Sequence, residues 1–207
     1  MQSLFNFIVT PKKNRYENEI EVNGKQLIVN TTMDDHRYVS RIGIVESVPK
    51  VNPGEIMKGD EVIVHHNVFR RFHDIRGKEK NSSSYFTEDM YFCYHDQIFL
   101  YKRDGKWNAP FDFCFVKPIA ENKKRLVTHE KERSNIGIIK YGNSSLNAFK
   151  ISEGDLIGFT PDSEYEFLVE NERMYRMKTK DIAIKYEYEG DEVEYNPSWA
   201  SGCGRTY

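Results

Sequence analysis

"MKGDEVIVHH", residues 57–66, returns in altered form as "SEGDLIGFTP", residues 152–161. Both copies set Gly-Asp before an apolar run. Gly supplies the positive φ of a tight turn, and Asp bonds nearby backbone amides. The strand that follows alternates sides and packs one face inward. The second copy keeps turn and strand and contains neither His65 nor His66. What repeats is therefore fold, and the two histidines read as surface or edge residues.

Working outward from this element, the same order appears twice. "FNFIVTP" ends in Pro11 as "FDFCFVKP" ends in Pro118. "RIGIVESV" is echoed by "NIGIIKYG", so Gly43 matches Gly137. "MYFCYHDQIFLYK" is echoed by "MYRMKTKDIAIKY", so Met90 matches Met174 and Ile98 matches Ile182. Self-similarity in a fixed order means one unit built twice. The pattern predicts an all-β chain of two tandem small β-barrels, residues 1–107 and 108–188, followed by a tail at 189–207. A barrel is the economical way for a small all-β unit to remove its open edges. The first copy has a longer opening loop, about residues 12–40, and a longer insert at 70–85. Within that loop "EIEVNGKQLIV" reads as a hairpin, because Asn-Gly is the strongest two-residue signal for a type I′ turn. "DEVIVHHNVF" reads as one continuous strand. No segment carries an amphipathic helical period over three turns.

Composition supports the strand reading. The chain has 207 residues, with 13 Phe and 13 Tyr, and aromatics favour strands. Its 30 Lys and Arg nearly balance 32 Asp and Glu, which demands neither a polyanion nor an acidic membrane surface. Cys93 and Cys114 sit in apolar aromatic runs and read as buried reduced thiols, whereas Cys203 lies in a Gly-rich end and reads as an exposed one. Their spacing matches neither a zinc site nor a disulfide framework. No signal peptide and no apolar run of about 20 residues is visible, so a reducing, cytoplasmic setting is expected.

The order of motifs resembles the GroES-like co-chaperonin (chaperonin-10) family in a tandem form. The residues that carry the likeness are the opening strand ending in "TPKK", a long polar loop holding an aliphatic triplet, "IGIVESV", "IMKGDEVIV" and the closing "MYFCYHDQIFLY". The resemblance implies a lid that docks on the apical domains of a GroEL-like chaperonin, assembled as a homo-oligomeric ring, without catalysis or cofactor. It implies that a flexible loop carries the docking triplet, which here matches Leu27-Ile28-Val29. The second copy's corresponding stretch, "IAENKKRLVTHEKERS", offers only Leu126-Val127 and does not point to a second docking loop.

Neighbours in a strand face opposite sides, so His65 and His66 are not expected to share a metal ion, and the Cys93–His95 spacing lacks further ligands. The insert "FRRFHDIRGKEK", residues 69–80, interleaves Phe69 and Phe72 with cations, a pattern that single-stranded nucleic acid uses; a solvated loop is the preferred reading. Nucleophile-elbow, phosphate-loop and zincin motifs are missing. The leading alternative to a co-chaperonin is a structural or assembly protein, such as a viral particle component, that reuses the fold. That alternative expects Leu27-Ile28-Val29 to be packed in the free chain. The tail is expected to be mobile or to pack on a neighbouring subunit through Trp199 and Tyr207.

Overall fold

A computed structural model describes residues 2–16, 19–22, 25–28, 35, 38–121, 132–187, 190 and 192–201. The chain divides into two units, Met1–Trp107 and Asn108–Tyr207. The strands through the first unit are β1 (Phe7–Pro11), β2 (Glu19–Val22), β3 (Lys25–Ile28), β4 (Ile42–Ser47), β5 (Glu61–Val64), β6 (Arg71–His73), β7 (Glu79–Asn81), β8 (Tyr85–Thr87), β9 (Met90–Cys93), β10 (Ile98–Arg103) and β11 (Lys106–Asn108). The second unit holds β12 (Phe113–Ala120), β13 (Glu132–Tyr141), the short helix α1 (Ser144–Ala148), β14 (Leu156–Phe159), β15 (Tyr165–Val169), β16 (Glu172–Lys178), β17 (Ile182–Lys185) and the short helix α2 (Ser198–Ser201).

The chain is all-β, and the repeat is structural. One sheet runs β11-β10-β5-β4-β1-β9-β8 and the other β17-β14-β13-β12-β16-β15. Apart from β11, corresponding strands occupy corresponding places. Registers agree residue by residue. Pro11 stands opposite Gly43 and Pro118 opposite Gly137. Ile8 pairs with Phe92 as Phe115 pairs with Arg176. Leu100 pairs with Ile63 as Ile184 pairs with Gly158, and both ladders shift register beside that pair. Among the described strands neither sheet closes on itself: β11 and β8 are the edges of one, β17 and β15 of the other.

Local chemistry explains the register. A Cβ on Gly43 would lie 2.9 Å from the Thr10 carbonyl oxygen and 3.1 Å from the Phe69 ring. On Gly137 it would lie 2.5 Å from both the Lys117 carbonyl oxygen and Val116 Cγ1. Only a residue without a side chain admits this approach. The Gly-Asp turns are equally matched. Gly59 and Gly154 have φ of +92° and +90°. Their N–H groups donate to the carbonyls of Val45 and Ile139, both at 2.8 Å. Asp60 and Asp155 accept from the backbone N–H of Met57 and Ser152 at 2.8 and 2.7 Å. Each Asp also holds a cation from the last long strand or its end: Arg103 at 2.5 Å and Lys185 at 2.6 Å.

Two-residue turns close the β10–β11 and β15–β16 hairpins. Val22 pairs with Lys25 across the expected Asn-Gly positions. Asp104-Gly105 between β10 and β11, and Glu170-Asn171 between β15 and β16, have positive φ at both residues, as a type I′ turn requires. The cores are mainly aromatic and β-branched: Phe7, Val9, Val45, Phe69 and Tyr91 in the first unit, and Val116, Ile139, Ile157 and Tyr175, with Met177 beside them, in the second. Cys93 lies opposite Phe7, and Cys114 opposite Met177, so each unit buries one thiol in the same pair, on opposite strands.

Three sequence expectations need correction. The strand over "DEVIVHHNVF" stops at Val64. The His65 N–H turns to the Gln97 carbonyl and the Val68 N–H folds back on His65. The solvated insert at 71–81 is mostly exposed, as expected, but it is ordered as a hairpin, β6–β7. Part of the expected tail runs along β12 of its own chain. The Ala120 N–H donates to Val193 and the Tyr195 N–H to Pro118. Glu194 pairs with Lys117, Asn196 accepts from the Arg173 N–H, and Ala200 is buried. Trp199 is exposed, and Tyr207 and Cys203 lie outside the described residues.

Gly137→Ala is expected to destabilise the second unit by about 1–3 kcal/mol through overpacking, and more than Gly43→Ala destabilises the first; urea titration of both variants tests the order. A second expectation concerns acid. Burial opposes the charge of Asp155, but Lys185 and the Ser152 amide outweigh it and hold the carboxyl below its ordinary 3.8. A depressed carboxyl stabilises the fold above its unfolded pKa and loses that contribution as pH falls through the folded value. The stability gap between wild type and Asp155→Asn should therefore be constant at neutral pH and shrink below about pH 4, measured as urea midpoints across acid pH.

Candidate functional site

The candidate docking segment leaves β1 and returns to β4, and its base is tied down. The Lys12 N–H donates to the Ile42 carbonyl and Lys12 Nζ lies 2.5 Å from Glu61. Tyr16 bridges Val39, both are buried, and the Ser40 N–H donates to the Arg15 carbonyl. Arg15 donates from Nε and Nη2 to the Phe69 carbonyl, at 3.2 and 3.1 Å, and from Nη2 to Asn81 Oδ1. Its guanidinium also lies over the Tyr91 ring, 5.0 Å from the centroid, a cation–π arrangement. The Tyr16 hydroxyl accepts from the Arg71 N–H at 2.7 Å. The loop expected over 12–40 is thus a stalk at 12–16 and 38–40, not one free segment. Sequence reading missed the Arg15–Tyr16 pair, because its side-chain partners lie more than fifty residues away.

Beyond the stalk lies the β2–β3 hairpin, which forms a two-stranded sheet of its own. Leu27 and Ile28 end β3, and Ile28 is 67% exposed. Val29 lies outside the described residues, as does Leu126-Val127 in the second unit. Ile20 stands opposite Leu27, and Glu19 opposite Ile28.

The other candidate groups are placed as follows. His65 and His66 lie past the end of β5 with ring centroids 4.1 Å apart, so the sequence argument that they point to opposite sides does not apply to them. The His65 Nδ1 accepts from the Asn67 N–H. His95 packs edge-on against Phe7 and bonds the Asn52 carbonyl through Nε2 at 2.6 Å. No group of three or more His, Cys, Asp or Glu is gathered as metal ligands among the described residues. In the basic hairpin Arg71 pairs with Glu79 at 2.9 Å. The Lys78 and Arg76 N–H groups hold the Asp74 carboxyl below its ordinary value. Phe69 is in the core, so of the two interleaved aromatics only Phe72 reaches the surface. Ile75, at the hairpin's tip, is fully exposed.

No helix among the described residues is long and apolar enough to cross a membrane. No protein-family model matches the chain, and no curated protein matches it significantly.

Burial pushes the Cys93 thiol up and the Cys114 thiol up to about 12, and both side chains are fully buried. Because thiolate is the reactive form, neither thiol should react with Ellman's reagent in the folded protein. In a Cys203→Ser background the native chain is expected to give no fast phase, and two thiols should appear on denaturation in guanidinium. A fast native phase of one equivalent contradicts this assignment.

Proposed function

We propose that this chain is a tandem GroES-like co-chaperonin: a non-enzymatic lid whose β2–β3 hairpin docks on the apical domains of a chaperonin ring. In this reading each unit is a small GroES-like β-barrel and the working form is a homo-oligomeric ring in the cytoplasm. The observation that carries the reading is Ile28, exposed on a hairpin that, among the described residues, shares no hydrogen-bonded ladder with the main sheet of its unit. An isolated two-stranded hairpin is marginal in water, and an aliphatic side chain at its end gains by burial elsewhere. The motif order and the duplicated strand order add support. The competing reading, an assembly protein with the triplet packed in the free chain, fits the exposure of Ile28 less well.

The docking arithmetic is modest by design. Burying Ile28 contributes about 1.5–3 kcal/mol before ordering costs, on the order of ten- to a hundred-fold per docked hairpin. A ring multiplies such weak contacts through effective concentration.

The test is capture on an immobilised GroEL-type chaperonin with ATP. Wild type should be retained and Ile28→Asp lost, with at least ten-fold weaker retention, while Ile75→Asp, on the other exposed hairpin, should behave as wild type. Equal retention of wild type and Ile28→Asp, or no retention of wild type, sinks the proposal.

A further inference from the structure

The duplication supplies its own control for the basic hairpin. Between β14 and β15 the second unit crosses with residues 160–164, whereas between the corresponding β5 and β8 the first unit carries residues 65–84. The second sheet reaches the same strand order without a counterpart of β6–β7, so the fold alone does not call for that hairpin. Its tip residue, Ile75, is completely exposed.

The tip is exposed but ordered. Asp74 Oδ1 accepts from the N–H groups of Arg76 and Lys78, at 2.9 and 3.0 Å. The Asp74 N–H donates to the Lys78 carbonyl and the Gly77 N–H to that of Asp74, and Gly77 supplies a left-handed φ of +72°. At the root the Ser82 N–H donates to the Arg70 carbonyl and the Ser82 hydroxyl to that of Val68. An aliphatic side chain held outward on such a support binds at a lower ordering cost.

Charge gathers around it. Residues 70–81 hold Arg70, Arg71, Arg76, Lys78 and Lys80 against Asp74 and Glu79, in a chain whose total charge is nearly balanced. Glu79 pairs with Arg71, and Asp74 is turned to the tip's own amides. Arg76, Lys78 and Lys80 are all exposed.

We propose that the β6–β7 hairpin is a membrane-surface anchor: Ile75 enters the interface of a bilayer rich in anionic phospholipid, and Arg76, Lys78 and Lys80 meet its headgroups. An aliphatic side chain projecting alone asks for an apolar medium rather than a shaped pocket. A bilayer interface offers that medium to apolar groups flanked by cations, and anionic headgroups attract each nearby Lys or Arg. Single-stranded nucleic acid answers the charge equally well, but it stacks its bases on aromatic rings. Phe69 is buried and Phe72 is only 37% exposed, so the point of the hairpin is aliphatic. The anchor uses no residue of the β2–β3 hairpin and does not depend on chaperonin docking.

The experiment is flotation of the full chain with vesicles of phosphatidylcholine alone, or of phosphatidylcholine and phosphatidylserine in equal parts, at increasing salt. Wild type should float with the anionic vesicles and not with the neutral ones, and less so as salt screens the exposed charges. Ile75→Asp, and Arg76→Glu combined with Lys78→Glu, should each bind on the order of ten-fold more weakly, whereas Ile75→Leu should bind as wild type. These positions are exposed, and circular dichroism confirms that each variant is folded; the charge variant carries the test should Ile75→Asp unfold. Wild type that stays unbound, wild type that floats equally with neutral vesicles, or Ile75→Asp that floats as wild type does overturns the proposal. Wild type that binds a single-stranded oligonucleotide but not the anionic vesicles assigns the hairpin to nucleic acid and overturns it too. Ile28→Asp should float as wild type whether or not chaperonin captures it, so the two proposals fail separately.

Discussion

In each unit a bare Cα faces a backbone carbonyl, and the strand order follows from that approach. Gly43 lies against the Thr10 carbonyl and Gly137 against that of Lys117, in both cases the carbonyl preceding a proline. The proline has no N–H to offer its neighbour, so close packing of the two chains replaces part of the ladder there. Two residues farther along, Val45 and Ile139 accept the N–H of the Gly-Asp turn and donate back to the Asp carbonyl. The same strand therefore carries a steric constraint and a hydrogen-bonded clasp. The clasp in turn presents Asp60 and Asp155 to a cation from the last long strand.

Much of this was legible because glycine, proline and aspartate act locally. The Pro–Gly and Gly-Asp pairs fixed the equivalence of the units, and the Asn-Gly signal placed β2 and β3. What escaped the sequence was decided at a distance. Nothing in "VIVHHNVF" marks Val64 as an end; the strand stops because the chain turns back just after it, the Val68 N–H donating to the His65 carbonyl. The turn at Glu170-Asn171 lacks glycine, although Asn tolerates the left-handed region. The acidic stretch after β17 gave no sign that Glu194 would reach Lys117 or that Asn196 would meet Arg173, because charged residues of that kind read equally well as solvated.

The candidate site was legible in composition but not in geometry. Three consecutive aliphatic residues stand out in a polar loop, yet which side each takes depends on the strand opposite. Pairing of β2 with β3 sets Leu27 opposite Ile20 and Ile28 opposite Glu19, and a linear motif carries no such information. The difference between the last long strands was likewise hidden. "IFLYK" and "IAIKY" look alike, and only the presence of β11 beside one of them distinguishes a covered edge from an open one.

The guanidinium of Arg15 has a mechanical consequence. It joins the stalk to the Phe69 carbonyl, the Asn81 side chain and the Tyr91 ring, while Tyr16 grips the backbone of Arg71. Tension on the β2–β3 arm is thus delivered to the root of a second hairpin and to β9 of the principal sheet, so whatever pulls on the arm pulls on the sheet as well.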